Sequence, residues 1–281
     1  MRVGGSIPPP PYPFGYRGTL PPALIAERFP LALLHYPAGL APPAQGKCIP
    51  WPAPQFFTRF FQYQSMKLLA FNGSPRKKWN TATLLWHAME GAESEGAETE
   101  LFHLYDFDYK GCTSCFACKR IGGKSYGRCP VKDDLKPIFR EVEKADAILV
   151  GSPIYFGATT GETRCFLERL AFQYSVYDPP RSTLFPGKIR TGFIYTAGAP
   201  DAMVKEMGFD RFTGLTEMAM ARIFGSCESL WVTDTYQFTD YSKYMSTLFD
   251  PVAKKKHREE NFPRDCEKAF GLGARLVRGG R

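Results

Sequence analysis

The chain has 281 residues, of which 44% are hydrophobic, and a formal net charge of +8. That length supports one large domain or two small ones with a packed core. No stretch reaches the roughly 18 apolar residues of a membrane helix, so no membrane partner is expected. Residues 1–65 carry five basic residues against the single acidic Glu27, leaving +4 for the remainder. So mild a balance does not imply nucleic acid.

Residues 1–65 also hold 14 of the 24 prolines and cannot build a regular core. They read as a Pro-rich disordered tail or a mis-called N-terminal extension, with the folded domain at 66–281. The best apolar run, Phe29 to Ala41, is cut by Pro30 and Pro37, which excludes a secretory signal, and Arg and Ser are too sparse for an organelle presequence. Eight cysteines without such a signal argue for a reducing compartment, the cytoplasm, and against disulfides.

The first strand starts at Met66 and ends in Asn72-Gly73-Ser74-Pro75, and a helix restarts after Asn80-Thr81 and runs to about 95. Glu98 to Tyr105 reads as a second strand. Leu135, Ile138, Phe139 and Val142 fall at i, i+3, i+4 and i+7 behind Asp133, which predicts an amphipathic helix over 134–144 with Asp133 or Asp134 as its cap. A third strand covers 147–150, a helix 163–174, a fourth strand 189–197, a mostly helical stretch 203–220, a fifth strand 226–233 and a closing helix 265–277. The run Lys254-Lys255-Lys256-His257-Arg258, followed by Glu259 and Glu260, reads as a solvated face.

Strands alternating with helices predict an α/β fold, a doubly wound parallel sheet of five strands with helices on both faces. In such sheets ligands sit at the carboxyl ends of the strands. Three loops would converge there: Asn72–Pro75, Gly151–Gly157 and Tyr195–Pro200. The first places a hydroxyl-rich turn before a helix N-terminus, where unpaired N–H groups and the helix dipole favour an anion. Ser74, Asn80, Thr81 and Thr83 add donors, and Arg76, Lys77 and Lys78 add charge, without the lysine placement of a nucleoside-triphosphate loop. A phosphomonoester suits this loop; an ordinary turn capped by Asn80 or Thr81 is the alternative.

NGSPRKKWNTATLL and GSPIYFG, with GETRCFLERL at 161–170, together resemble the flavodoxin-like NADPH-dependent FMN reductase superfamily, in its iron-sulfur flavoprotein branch, over residues 66–280. The resemblance implies that Ser74, Arg76, Asn80 and Thr81 hold the phosphate of FMN. It implies that Pro153, Ile154, Tyr155, Phe156 and Gly157 shape the floor and edge of the flavin ring, and that Thr196, Ala197 and Gly198 approach its other side. Trp79 departs from the family, which has a small residue there. A homodimer or higher homo-oligomer is also implied, and Phe172, Tyr174, Tyr177 and Phe185 are aromatic candidates for covering the ring or forming a dimer face.

Cys112-Thr-Ser-Cys115-Phe-Ala-Cys118, with Cys129-Pro130 beyond, is a spacing that can close around a [4Fe-4S] cluster. Relatives have a tighter gap before the fourth cysteine. Zinc bound by the same four thiolates and free thiols remain open. Cys48, Cys165, Cys227 and Cys266 read as small apolar packers, and the four histidines form no ligand pair.

If FMN is bound, the resemblance implies an NAD(P)H oxidoreductase passing electrons through the flavin to a quinone, a flavin or an iron-sulfur partner, with no side chain assigned as general acid or base. A non-enzymatic FMN/[4Fe-4S] electron-transfer protein serving a ferredoxin-like partner is the alternative, and a binding module without turnover a third.

Overall fold

Side chains alternate across a strand, and that alternation decides what each face of the sheet packs against. In β1 (Lys67–Asn72), Leu69 and Phe71 enter one buried cluster while Leu68 and Ala70 enter the other. β3 (Ala147–Tyr155) repeats the division, with Ile148 and Val150 on the first side and Ala147 and Leu149 on the second. The computed structural model describes residues 65–178 and 183–278, which fall within one unit formed by residues 61–281. The expected tail lies, up to residue 64, outside the described residues.

With β2 (Glu98–His103), β5 (Ile189–Thr196) and β6 (Gly225–Val232), these strands form a sheet in the order β2-β1-β3-β5-β6, every neighbouring pair parallel. This is the flavodoxin-like order, whose switch point lies between β1 and β3. One face carries α2 (Leu135–Val142), α3 (Gly161–Tyr174) and α5 (Phe209–Phe224); the other carries α1 (Asn80–Ser94) and α6 (Pro251–Val277).

Four segments differ from the sequence reading. β3 runs past 150 because Gly151, Ser152 and Pro153 pair with Ile194, Tyr195 and Thr196, and it turns back through the two-residue β4 (Ala158–Thr159). Pairing partners outweigh the poor strand propensity of Gly and Pro. The 203–220 stretch is two helices, α4 (Asp201–Glu206) and α5, parted by Gly208 at φ 69°, a conformation glycine adopts without strain. α6 begins at Pro251 rather than 265, because Asp250 accepts the Val252 N–H at 2.9 Å and proline is tolerated in the first turn. Lys254, read as part of a solvated face, is 3% exposed and paired with Asp234 at 2.5 Å, while Lys255 and Lys256 are exposed.

Two of the four aromatic candidates are core residues. Tyr174 and Phe185 meet edge-on at 5.0 Å inside the α2/α3/α5 cluster, and Tyr174 donates to Glu143 at 3.0 Å. Tyr177 is exposed, and Phe172 packs edge-on against Phe116 at 5.9 Å.

α1 and α6 touch backbone to backbone. A Cβ on Gly273 would stand 1.7 Å from the Ala88 carbonyl oxygen, and one on Gly91 would stand 2.0 Å from that of Phe270. At Gly271 the nearest neighbour is the tip of Arg275 at 3.4 Å. Gly273→Ala is therefore expected to lose about 1–3 kcal/mol through overpacking. Gly271→Ala, in the same helix, is expected to gain about 0.5–1 kcal/mol from helix propensity. Denaturant unfolding of the two variants beside the unmodified chain measures both signs.

Candidate functional site

The loop after β1 is held by its neighbours. Asn72, fully buried at the strand end, accepts the Ser74 N–H with its Oδ1 at 3.0 Å. The Gly73 N–H donates to Gly151 at 2.7 Å, and its carbonyl accepts from Thr160 Oγ1 at 2.7 Å. Thr160 caps α3 through the Thr163 N–H and shares a hydroxyl hydrogen bond with Thr163 at 2.8 Å. On the other side, Thr81 and Thr196 share a hydroxyl hydrogen bond at 2.8 Å. The three loops expected to converge are thus bonded to one another.

Between them lies a cavity of about 250 Å³ whose lining includes Ser74, Arg76, Asn80, Thr81, Pro153, Ile154, Tyr155, Thr196 and Gly198. Ala197 is buried behind it, with its carbonyl accepting from Thr235. Phe156 and Gly157, both at positive φ, line a neighbouring apolar cavity of about 640 Å³ beside α5. Neither Asn80 nor Thr81 caps α1: Trp79 holds the cap position without a side-chain bond. The Thr83 hydroxyl turns back to the Trp79 carbonyl at 3.1 Å and takes no part in the lining.

A segment the sequence reading did not single out closes the remaining side. Residues 234–249 cross the cavity, and Thr235, Tyr236, Gln237 and Phe249 line it. The Tyr236 carbonyl accepts from Asn80 Nδ2 at 2.7 Å and from Trp79 Nε1 at 3.0 Å; the Gln237 carbonyl accepts from Arg76 at 2.6 Å. Arg258 of α6 donates to Asn80 Oδ1 at 2.5 Å and stacks on Phe262 at 3.5 Å, which leaves the Asn80 amide N–H₂ to the Tyr236 carbonyl. Lys77 pairs with Asp106 instead.

All four motif cysteines line a second, smaller cavity of about 20 Å³, together with Arg169, Phe172 and Gln173 of α3. Cys118 is buried, Cys112 and Cys129 are half-buried and Cys115 is exposed. Ser114 and Phe116 both stand at φ 54°, in the left-handed region that non-glycine residues seldom adopt. Burial pushes the Cys118 thiol up, opposed by the Lys119 ammonium. Lys119 donates to the terminal carbonyls of α3 at Phe172, Gln173 and Ser175. Asp133 accepts the Leu135 N–H at 3.2 Å and also pairs with Arg169; Asp134 accepts from the Asp108 N–H at 2.8 Å. Among the described residues no three Cys, His, Asp or Glu side chains converge to hold a single metal ion.

Residues 66–205 match the family model described as NADPH-dependent FMN reductase. The chain belongs to that family. It is 36% identical over 104 residues to an iron-sulfur flavoprotein of Methanocaldococcus jannaschii, covering 37% of this chain and 51% of the relative. An iron-sulfur flavoprotein of Archaeoglobus fulgidus is 41% identical over 104 residues, covering 37% and 48%. The chain therefore spans about half the length of the curated relatives it matches. An NAD(P)H:quinone oxidoreductase from Methanothermobacter marburgensis superposes with a TM-score of 0.56 at 15% identity, over 77% of this chain and 100% of that one. An azoreductase from Bacillus anthracis gives 0.52 at 13%, over 75% and 99%. At such identities the likeness concerns the fold. The segment 234–249 and Arg258 of this FMN reductase family protein lie beyond the matched residues.

His103 takes part in the loop. The Ser74 N–H fixes which end of the Asn72 amide is oxygen, so Asn72 Nδ2 donates to His103 Nδ1 at 3.0 Å. Burial, with Lys77 nearby, holds the imidazole below its ordinary value of 6.5. As pH falls through 6.5 the unfolded chain takes up a proton that the folded chain refuses, so stability is lost below that value. The His103→Gln variant, which keeps an acceptor for Asn72, is expected to lose less stability than the unmodified chain between about pH 7 and pH 5, as measured by denaturant titration at each pH.

Proposed function

We propose that this protein is an NAD(P)H oxidoreductase that holds FMN in the 250 Å³ cavity and passes electrons from a nicotinamide to an acceptor. The observation that carries the reading is the lining of that cavity, which brings together nine residues from three separate loops that the family resemblance had assigned to FMN. Ser74 and Thr81 offer hydroxyls, Asn80 an amide and Arg76 a charge beside the N-terminus of α1, the donor set a phosphomonoester needs. Arg76 and Asn80 now donate to neutral backbone carbonyls, and a phosphate dianion is the stronger acceptor for both. Pro153, Ile154 and Tyr155 form the floor for a ring, Thr196 and Gly198, backed by Ala197, the opposite wall, and Tyr236 and Phe249 exclude water from the third side. Bound FMN supplies hydride acceptance and transfer of one or two electrons; the protein supplies position, shielding and charge.

Cys112, Cys115, Cys118 and Cys129 would hold a [4Fe-4S] cluster, which supplies one-electron steps. The donor set fits: four thiols face one cavity, beside two buried side-chain N–H groups, Arg169 Nε and Gln173 Nε2, that have no hydrogen-bond partner. The cavity has room for about one water, so loading moves the exposed half of the loop around Cys115. This cysteine cavity also favours a second reading, a non-enzymatic FMN/[4Fe-4S] carrier serving a ferredoxin-like partner. Purified protein that oxidises NAD(P)H with a soluble quinone, nitroaromatic or flavin acceptor is an enzyme; one that does so only with a redox protein is a carrier. A homodimer is proposed through α5, where Phe212, Leu215 and Met218 are exposed, and residence in a reducing compartment such as the cytoplasm follows from the thiols. No helix among the described residues is long and apolar enough to cross a membrane.

Arg76→Ala is expected to weaken FMN binding about tenfold to a hundredfold, the range for a hydrogen bond to a charged group. Riboflavin, which lacks the phosphate, should bind both proteins alike. Fluorescence titration of the apoprotein with each flavin measures the two ratios; equal losses for FMN and riboflavin would remove Arg76 from the phosphate site.

A further inference from the structure

The fixed wall of the cysteine cavity is made by α3. Arg169 and Gln173 are four residues apart and so share a helix face. They are 3% and 2% exposed, and both line the cavity with the four cysteines. Each is locked by a bond to one part of its head group. The Arg169 guanidinium donates twice to Asp133 and once to the Lys110 carbonyl, and its Nη2 stands 3.5 Å from Cys129 Sγ. Gln173 Oε1 accepts the Cys129 N–H at 2.9 Å, which fixes the amide so that Nε2 is the donating end left over. Arg169 Nε and Gln173 Nε2 remain, buried and unpartnered. A buried N–H without an acceptor costs about 1–3 kcal/mol, and here both belong to side chains that line the cavity with the four cysteines and touch Cys129.

We propose that Arg169 and Gln173 donate hydrogen bonds to the sulfur atoms of the cluster held by Cys112, Cys115, Cys118 and Cys129, and so set its reduction potential. The proposal rests on the cluster reading above. Reduction adds one electron, delivered by the nicotinamide through the flavin, and no proton, so the sulfurs become more negative and accept more strongly. Donors fixed beforehand stabilise the reduced cluster more than the oxidised one and raise its potential. Arg169 and Gln173 are positioning residues, since neither is a ligand to iron.

The test is an EPR-monitored redox titration of the full chain purified without oxygen, with iron and sulfide assayed on each sample. Gln173→Glu keeps the acceptor for the Cys129 N–H and replaces the donor by a carboxylate oxygen; Arg169→Lys keeps the charge and removes the fork. Each variant is expected to retain the iron content of the unmodified chain, with the cluster equilibrium shifted at least tenfold toward the oxidised form, about 59 mV for one electron. The flavin potential should stay in place. Where one variant does not hold iron, the other decides. Iron-loaded variants with an unchanged cluster potential would overturn the assignment of these donors alone. An unmodified chain without iron and sulfide would overturn the cluster reading and this proposal with it.

Discussion

Gly73 is the residue on which the site depends. Its N–H reaches Gly151 and its carbonyl reaches Thr160, so one peptide unit joins the loop after β1 to the end of β3 and to the cap of α3. A Cβ there would stand 1.8 Å from the Thr163 hydroxyl, a distance no packing rearrangement of a few tenths of an ångström relieves. Because no side chain fits, the loop can lie flat against the α3 N-terminus, and the groups assigned to the phosphate and those assigned to the ring keep a fixed relation. Thr81 and Thr196 perform the same task on the other side of the sheet. Asn72 and His103 complete the support from below.

α3 carries this order to the cysteines. Its first turn is tied to Gly73 through Thr160 and Thr163, and its last two turns present Arg169 and Gln173 to the second cavity. Thirteen residues of helix separate Thr160 from Gln173, about 20 Å along the axis at the helical rise. One rigid element therefore supports both candidate redox sites, and Lys119 returns from the cysteine loop to bind the carbonyls that end it. The movable part of the second site is confined to the exposed side, around Cys115 and Phe116.

Most of the strand and helix order was legible because it rests on local periodicity. Leu135, Ile138, Phe139 and Val142 announced α2, and all four are buried. The three convergent loops were legible because the carboxyl edge of a parallel sheet is where such loops must meet. What escaped was set by distant partners. Lys254 and Arg258 sit in a run that reads as solvated, and only Asp234 and Asn80, far away in the chain, turn them inward. Pro263 lies inside α6, whose buried residues Phe262 and Cys266 flank it in the cluster shared with α1. Tyr174 and Phe185 carried no local mark distinguishing a core aromatic from one that covers a ligand. Arg169 and Gln173 showed helical spacing but nothing that tied them to cysteines 40 or more residues earlier.

Trp79 and the segment 234–249 explain each other. A small residue at position 79, as the family resemblance implies, would leave the Tyr236 carbonyl one donor short at the edge of the cavity. The indole supplies that donor, and Arg76 stacks over the same ring at 5.2 Å. The departure in the loop and the segment 234–249 are thus two halves of one contact. Both of its ends are anchored by Lys254, which pairs with Asp234, lies 4.4 Å over the Phe249 ring and donates to the Gly198 carbonyl while almost wholly buried. Lifting the segment would strip a buried ammonium of its only carboxylate contact among the described residues, and separating such a pair costs several kcal/mol. Held at both ends by Lys254 and at Tyr236 by Trp79 and Asn80, the segment is a fixed wall of the cavity.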